Sequence, residues 1–156
     1  MSENRQLCTF WVGDLFLGID VTHVQEVVRP QALTTVPLAP PVVRGLINLR
    51  GQIVTAIDLA QMLGLPDRPH DAELLNVVIR SRGEAISLLV DAIGDVIEIA
   101  DGTSAPVPPT VRTEVRRLLQ NTCPLPGRLL LVLDPDAVTD DAALPPASHE
   151  LEGASA

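Results

Sequence analysis

Side chains that make or break bonds are sparse in this sequence. Its 156 residues include 11 arginines and no lysine, so no side-chain amine is present for a Schiff base or a Walker-type phosphate loop. The three histidines, His23, His70 and His149, are scattered, and Cys8 and Cys123 share no metal or redox spacing. No G-x-S-x-G, strand-borne G-x-G-x-x-G or H-E-x-x-H motif occurs. Asp134-Pro135-Asp136 lacks the downstream glycine and glutamate of a calcium loop. Asp91 and Asp95 bracket three residues and are read as flanks of a solvated turn rather than as a general acid and base. These absences predict a chain that is not an enzyme and needs no cofactor or metal.

One constellation suits a different chemistry. In Asn48-Leu49-Arg50-Gly51 an arginine sits at a hairpin tip or strand end beside a glycine. From there a planar guanidinium can grip a carboxylate and lock two chain segments together. Glu26, in Val24-Gln25-Glu26-Val27, is the candidate partner; a solvated Arg50 is the competing reading.

The bulk numbers exclude several partners. The formal charge is −9 and the only aromatics are Phe10, Trp11 and Phe16, so the basic footprint and stacking platforms of a nucleic-acid binder are missing. No apolar run approaches the roughly 20 residues of a membrane span, and no h-region marks a signal peptide. A cytoplasmic setting with reduced cysteines is the expectation. Residues 139–156 hold Asp140, Asp141, Glu150 and Glu152 with no arginine, and are read as an acidic, disordered tail behind a domain of residues 5–138.

The elements that must position Glu26 and Arg50 are short. Leu7 to Val12 and Leu15 to Ile19, around Gly13-Asp14, predict a β-hairpin. Asp20 or Thr22 is placed to cap a helix through His23, Val24 and Val27, ended by Pro30. Pro41 to Arg44 suits one helical turn, broken by Gly45. A second hairpin follows, Leu46 to Leu49 and Ile53 to Ile57 around Arg50-Gly51, and then a helix from Leu59 to Leu63 with Asp58 as its cap. Residues 65–71 read as a linker. The third hairpin joins Leu74–Arg80 to Ala85–Val90 through Arg82-Gly83, and a strand spans Ile93 to Ile99. Thr110 to Gln120 has the strongest helical spacing (Val111, Val115, Leu118, Leu119), with Thr110 or Thr113 as cap. Cys123 to Gly127 is turn-like; a last strand, Leu129 to Leu133, leads into a helical turn through Val138. Eight to ten short strands, too tightly connected for βαβ crossovers, predict a mainly β barrel or sandwich. No internal repeat is visible beyond a shared hairpin rhythm.

Four blocks, in order and spacing, resemble the CheW coupling proteins of bacterial chemosensory arrays. They are Gly18-Ile19-Asp20 with Val24-Gln25-Glu26-Val27; Pro41-Val42-Val43-Arg44-Gly45-Leu46-Ile47-Asn48-Leu49-Arg50-Gly51-Gln52-Ile53-Val54 with Ile57-Asp58-Leu59; Leu89 to Val96; and Gly127 to Asp134. The resemblance implies two small SH3-like five-stranded β-barrel lobes with a few short helices and an apolar groove between the lobes. It implies a non-enzymatic adaptor joining a chemoreceptor's cytoplasmic tip to the regulatory domain of the histidine kinase CheA. By resemblance, Val24, Arg44, Gly45, Val90 and Asp91 face the receptor, Glu26 and Arg50 pair to fix the groove wall, and Gln52 and Ile53 face the kinase. No nucleic acid, membrane insertion or small-molecule substrate is implied. The alternatives are a small-ligand sensor using the inter-lobe cleft, and a CheW-like scaffold of a pilus or surface-sensing pathway.

Overall fold

The computed structural model describes residues 5–66, 73–100 and 102–141. Ten strands form two five-stranded sheets. Strands β1 (Arg5–Val12) and β2 (Leu15–Asp20) make the first hairpin, and β3 (Val24–Val28) follows a 3-10 turn at Val21–His23. Then come β4 (Val43–Leu49), β5 (Gln52–Asp58), helix α1 (Leu59–Met62), β6 (Leu75–Ser81), β7 (Glu84–Val90) and β8 (Ala92–Ile99). Helix α2 (Thr113–Arg116), β9 (Leu119–Leu125), β10 (Arg128–Leu133) and helix α3 (Pro135–Asp141) complete the chain.

The sheets have the orders β8-β1-β2-β10-β9 and β3-β6-β7-β5-β4. Advancing each strand number of the first order by five, with the count returning from ten to one, generates the second, so the fold is an internal repeat that the sequence pattern did not reveal. Each sheet takes one hairpin from one half of the chain and its other three strands from the other. After β2 the chain crosses to pair β3 with β6; after β7 it crosses back to pair β8 with β1. The repeat extends to detail. The outer strand of each late hairpin is bridged by one isolated residue, Thr34 on Leu46 and Ala105 on Thr122. Both outer strands also bulge at the same place, one residue before Gly45 in β4 and one before Asn121 in β9. Each order has two ends that do not pair, so the lobes are open SH3-like barrels rather than closed ones.

Burial explains why the halves stay together. The largest apolar cluster draws Phe10, Leu17 and Ile19 from one sheet and Ile57, Val77, Ile79, Leu88 and Val90 from the other. Smaller clusters serve each sheet separately, around Ile47 and Val54 in one and around Leu7 and Leu130 in the other. The space between the lobes is therefore packed, and no open inter-lobe groove exists where Val90 sits.

Several local expectations are corrected. Residues 24–28 form a strand, not a helix. A 3-to-4 spacing over five residues fits both periods, and three valines plus pairing with β6 decide for extended backbone. Residues 43–44 belong to β4, and Gly45 lies inside that strand rather than stopping a helix. The helix expected over 110–120 shrinks to Thr113–Arg116. Its N-cap is Arg112, with no side-chain capping bond, so neither Thr110 nor Thr113 caps it. Leu119 to Leu125, including the residues read as turn-like from Cys123, instead pair with β10. Helix α3 runs to Asp141, so 139–141, assigned above to the tail, are helical. Most of the linker, 67–71, and residues 142–156 lie outside the described residues.

Candidate functional site

The tip of the β4–β5 hairpin is a two-residue turn, with Leu49 opposite Gln52. Both turn residues have positive φ, Arg50 at 52° and Gly51 at 87°, as the tight hairpin geometry demands. Asn48 Oδ1 accepts from Gly51 N at 2.9 Å and holds the turn. The left-handed backbone throws Arg50 off the end of the hairpin, and its Nη2 donates to Glu26 Oε2 on β3. Strands β3 and β4 are the two unpaired ends of one sheet. The ion pair thus spans the gap that backbone hydrogen bonds leave open. Arg50's side chain is 74% exposed and Glu26's 22%. Hydrogen bonds from Arg50, and next from Gln25, hold the Glu26 carboxyl below its ordinary range.

Arg44 is the extra residue of the β4 bulge, where Val43 pairs with Ile57 and Gly45 with Ala56. Bulges re-aim side chains, and here Nη1 of Arg44 reaches Oδ2 of Asp58 at 3.0 Å. Asp58 is almost buried, and its other oxygen caps α1 by accepting from Gln61 N at 3.3 Å. This Arg44–Asp58 link was not foreseen. Asp58 was legible as a cap, but the bulge that turns Arg44 toward it leaves no local signature. Arg44 also lines a groove of about 200 Å³ with Pro30, Leu33, Leu74 and Leu89.

Gly45 is buried, with φ +154°, and a Cβ there would lie 2.6 Å from the Thr34 carbonyl oxygen. Thr34 and Leu46 exchange backbone hydrogen bonds of 2.9 and 2.8 Å across the same spot. The close approach that a glycine permits is thus made by the chain's own residues 33–34, not by an open groove. Val24 is half-buried against the shared core. Val90, expected to face a receptor, is 0% exposed and its side chain packs within that core. Asp91 is exposed at the crossing from β7 to β8. Its carboxylate accepts from Gly13 N, and its own N–H donates to Trp11 O at 2.9 Å, pinning the crossing to the β1–β2 tip. The other crossing begins at Asp20, which accepts from Thr22 N and from Arg5 Nε. Desolvation pushes the Asp20 carboxyl up, and the Thr22 and Arg5 hydrogen bonds more than offset it, leaving it below the ordinary range. Gln52 is half-buried and Ile53 exposed on β5.

The structure thus brings Glu26 and Arg50 together, sets Val24 with Glu26 on β3 and Arg44 with Gly45 on β4, and places Val90 in the shared core against which Val24 packs. Among the described residues no three His, Cys, Asp or Glu side chains converge as a metal site, and no helix is long and apolar enough to cross a membrane.

A family model described as the CheW-like domain matches residues 6–143. The chemotaxis protein CheW of Bacillus subtilis is 30% identical over 140 residues, covering 90% of each chain. The chemotaxis protein CheW of Rhizobium meliloti is 28% identical over 134 residues, covering 86% of each. Among solved structures, the scaffolding protein TtCheW from Thermoanaerobacter tengcongensis superposes with a TM-score of 0.76 at 26% identity, over 85% of this chain and 90% of that one.

Proposed function

The chain belongs to the CheW family of chemotaxis scaffold proteins, and we propose that it couples chemoreceptor cytoplasmic tips to the histidine kinase CheA without performing catalysis itself. The observation that carries this reading is the Glu26–Arg50 ion pair joining the two open ends of one lobe. A binding wall made of β3 and the β4–β5 tip needs such a tie, because an exposed sheet end is otherwise free to splay. Val24 and Arg44 lie on the same two strands and supply an apolar and a cationic contact for a receptor helix, a known way of docking on a protein surface. Gln52 and Ile53 lie on β5, next to the tip, and are assigned to the kinase. Val90 and Gly45 act indirectly, through the shared core and through residues 33–34.

The test is a ternary capture of a receptor cytoplasmic fragment and CheA by the full chain. Arg50→Glu and Glu26→Arg should each weaken capture, and the double exchange should restore it while circular dichroism stays unchanged. Single variants that capture both partners as well as the parent would refute the role of the tie.

A further inference from the structure

Glu26 does not meet Arg50 alone. Gln25, its neighbour on β3, is the extra residue of a bulge between the Val24–Ile79 and Glu26–Val78 pairs. The bulge re-aims its side chain, and Gln25 Nε2 donates to Glu26 Oε2 at 3.4 Å. This is the same oxygen that Arg50 holds. The other end of the Gln25 amide is taken from β6, where Arg80 Nε donates to Gln25 Oε1 at 2.9 Å. Arg80 lies two residues along β6 from Val78, the partner of Glu26, and so on the same face of the sheet. Its backbone is held on both sides, by pairing with Ala85 of β7 and by His23 Nδ1, 3.3 Å from its carbonyl oxygen. The row Arg80–Gln25–Glu26–Arg50 thus runs from β6, across the edge strand β3, to the tip of the β4–β5 hairpin.

We propose that Arg80 and Gln25 are positioning residues for the Glu26–Arg50 tie: Arg80 sets the orientation of the Gln25 amide, and the amide holds the Glu26 carboxylate where Arg50 meets it. The inference rests on the reading of that tie as part of the binding wall. An amide has an accepting end and a donating end, whereas an arginine only donates. Arg80 therefore claims the carbonyl end and leaves the NH2 end for Glu26. Without Arg80 the amide is free to turn its carbonyl oxygen toward the carboxylate, and the two acceptors repel. An exposed ion pair between long side chains is weak because both must be ordered at once, and it counts for more where a network fixes its geometry. The half-buried Glu26 is the partner held in advance, and the exposed Arg50 is the one that closes on it. The lowered Glu26 carboxyl, with the Arg50 hydrogen bond contributing first and the Gln25 one next, agrees with two donors on one oxygen.

The test reads the titration midpoint of the Glu26 side-chain carbon by NMR in the full chain, with circular dichroism checking the fold. Gln25→Leu and Arg80→Met should each raise the midpoint toward 4.5. The double variant should match Gln25→Leu alone, because Arg80 acts through the amide. Each single variant should also weaken ternary capture of a receptor fragment and CheA, by up to about fivefold. A parental midpoint in Arg80→Met would overturn the proposal. So would a further rise in the double variant, which would show Arg80 acting on Glu26 by charge alone. The two readings fail separately. A parental midpoint in Arg80→Met beside lost capture in Arg50→Glu would refute the positioning row and leave the tie. Midpoints that move as stated, beside parental capture in Arg50→Glu, would keep the row and remove the tie from the binding wall.

Discussion

Asp58 carries two jobs with one carboxylate, and they can be separated. Oδ1 caps α1 through Gln61 N, and Oδ2 holds Arg44 Nη1 at 3.0 Å with the Asp58 side chain only 7% exposed. Losing an N-cap costs about 1 kcal/mol. Losing a hydrogen bond to a charged group costs about 1.5–3 kcal/mol, taken at the lower end because the Arg44 side chain remains 26% exposed. Asp58→Ala should therefore destabilise the fold by about 2–4 kcal/mol, a fall in Tm of about 4–16 °C for a domain of this size. Asp58→Asn keeps a competent cap and loses the charge, so it should cost about half as much. Arg44→Met removes only the pair. Urea unfolding of the single and double variants gives the coupling energy, expected at about 1 kcal/mol or more. Equal losses for Asn and Ala would refute the capping role. A coupling indistinguishable from zero would refute the pair and leave Arg44 free to be a plain surface cation.

Gly45→Ala should cost about 1–3 kcal/mol, because the new Cβ meets the Thr34 carbonyl, and should remove hydrogen-exchange protection at the Thr34 and Leu46 amides; parental stability would contradict the close contact. Val90→Ala should destabilise by about 1–3 kcal/mol and lower receptor and kinase capture together, since the residue is in the core; loss of receptor capture alone, at unchanged stability, would restore it to the interface. The depressed Glu26 carboxyl stabilises the fold when ionised, so its contribution is complete above the ordinary 4.5 and is lost as pH falls through the lower native value. Partner capture should thus be flat from neutral pH down to about 5, with the Glu26 side-chain carbon titrating in NMR below 4.5; a midpoint at or above 4.5 would contradict the Arg50 bond.

The hairpins were legible because their tips are local. Arg50-Gly51 and Arg82-Gly83 announce two-residue turns, and the runs around them are strand-like at any register. Asp58 before Leu59, Ala60 and Met62 is likewise a local helix start. Two of the three misjudged helices share a cause. Over five residues at 24–28, and at the junction of 113–116 with 119–125, helical and extended periods both place apolar side chains inward. Pairing with β6 and β10 then chose the strand. What no local pattern carries is long-range exchange. The crossing of β3 and β8 between sheets decides that Val90 faces a core, and the bulge at Arg44 decides which carboxylate it meets. The resemblance to CheW placed Glu26 and Arg50 side by side in words; the reason they meet, an open sheet end on each side, is visible only in the strand order.

The exchanged strands set a timetable for synthesis. The sheet built on β6 and β7 is complete once Val90 has emerged, because β3, β4 and β5 precede it. The β1–β2 hairpin, made first, waits for β8, β9 and β10, and its last partner ends at Leu133. At about 5–20 residues per second, the 113 residues from Val21 to Leu133 take roughly 6–23 seconds to follow it. During that interval Phe10, Leu17 and Ile19 lack the neighbours that β8 and β10 supply. The β1–β2 hairpin thus precedes three of its sheet's five strands and is sheltered after the sheet it crosses into.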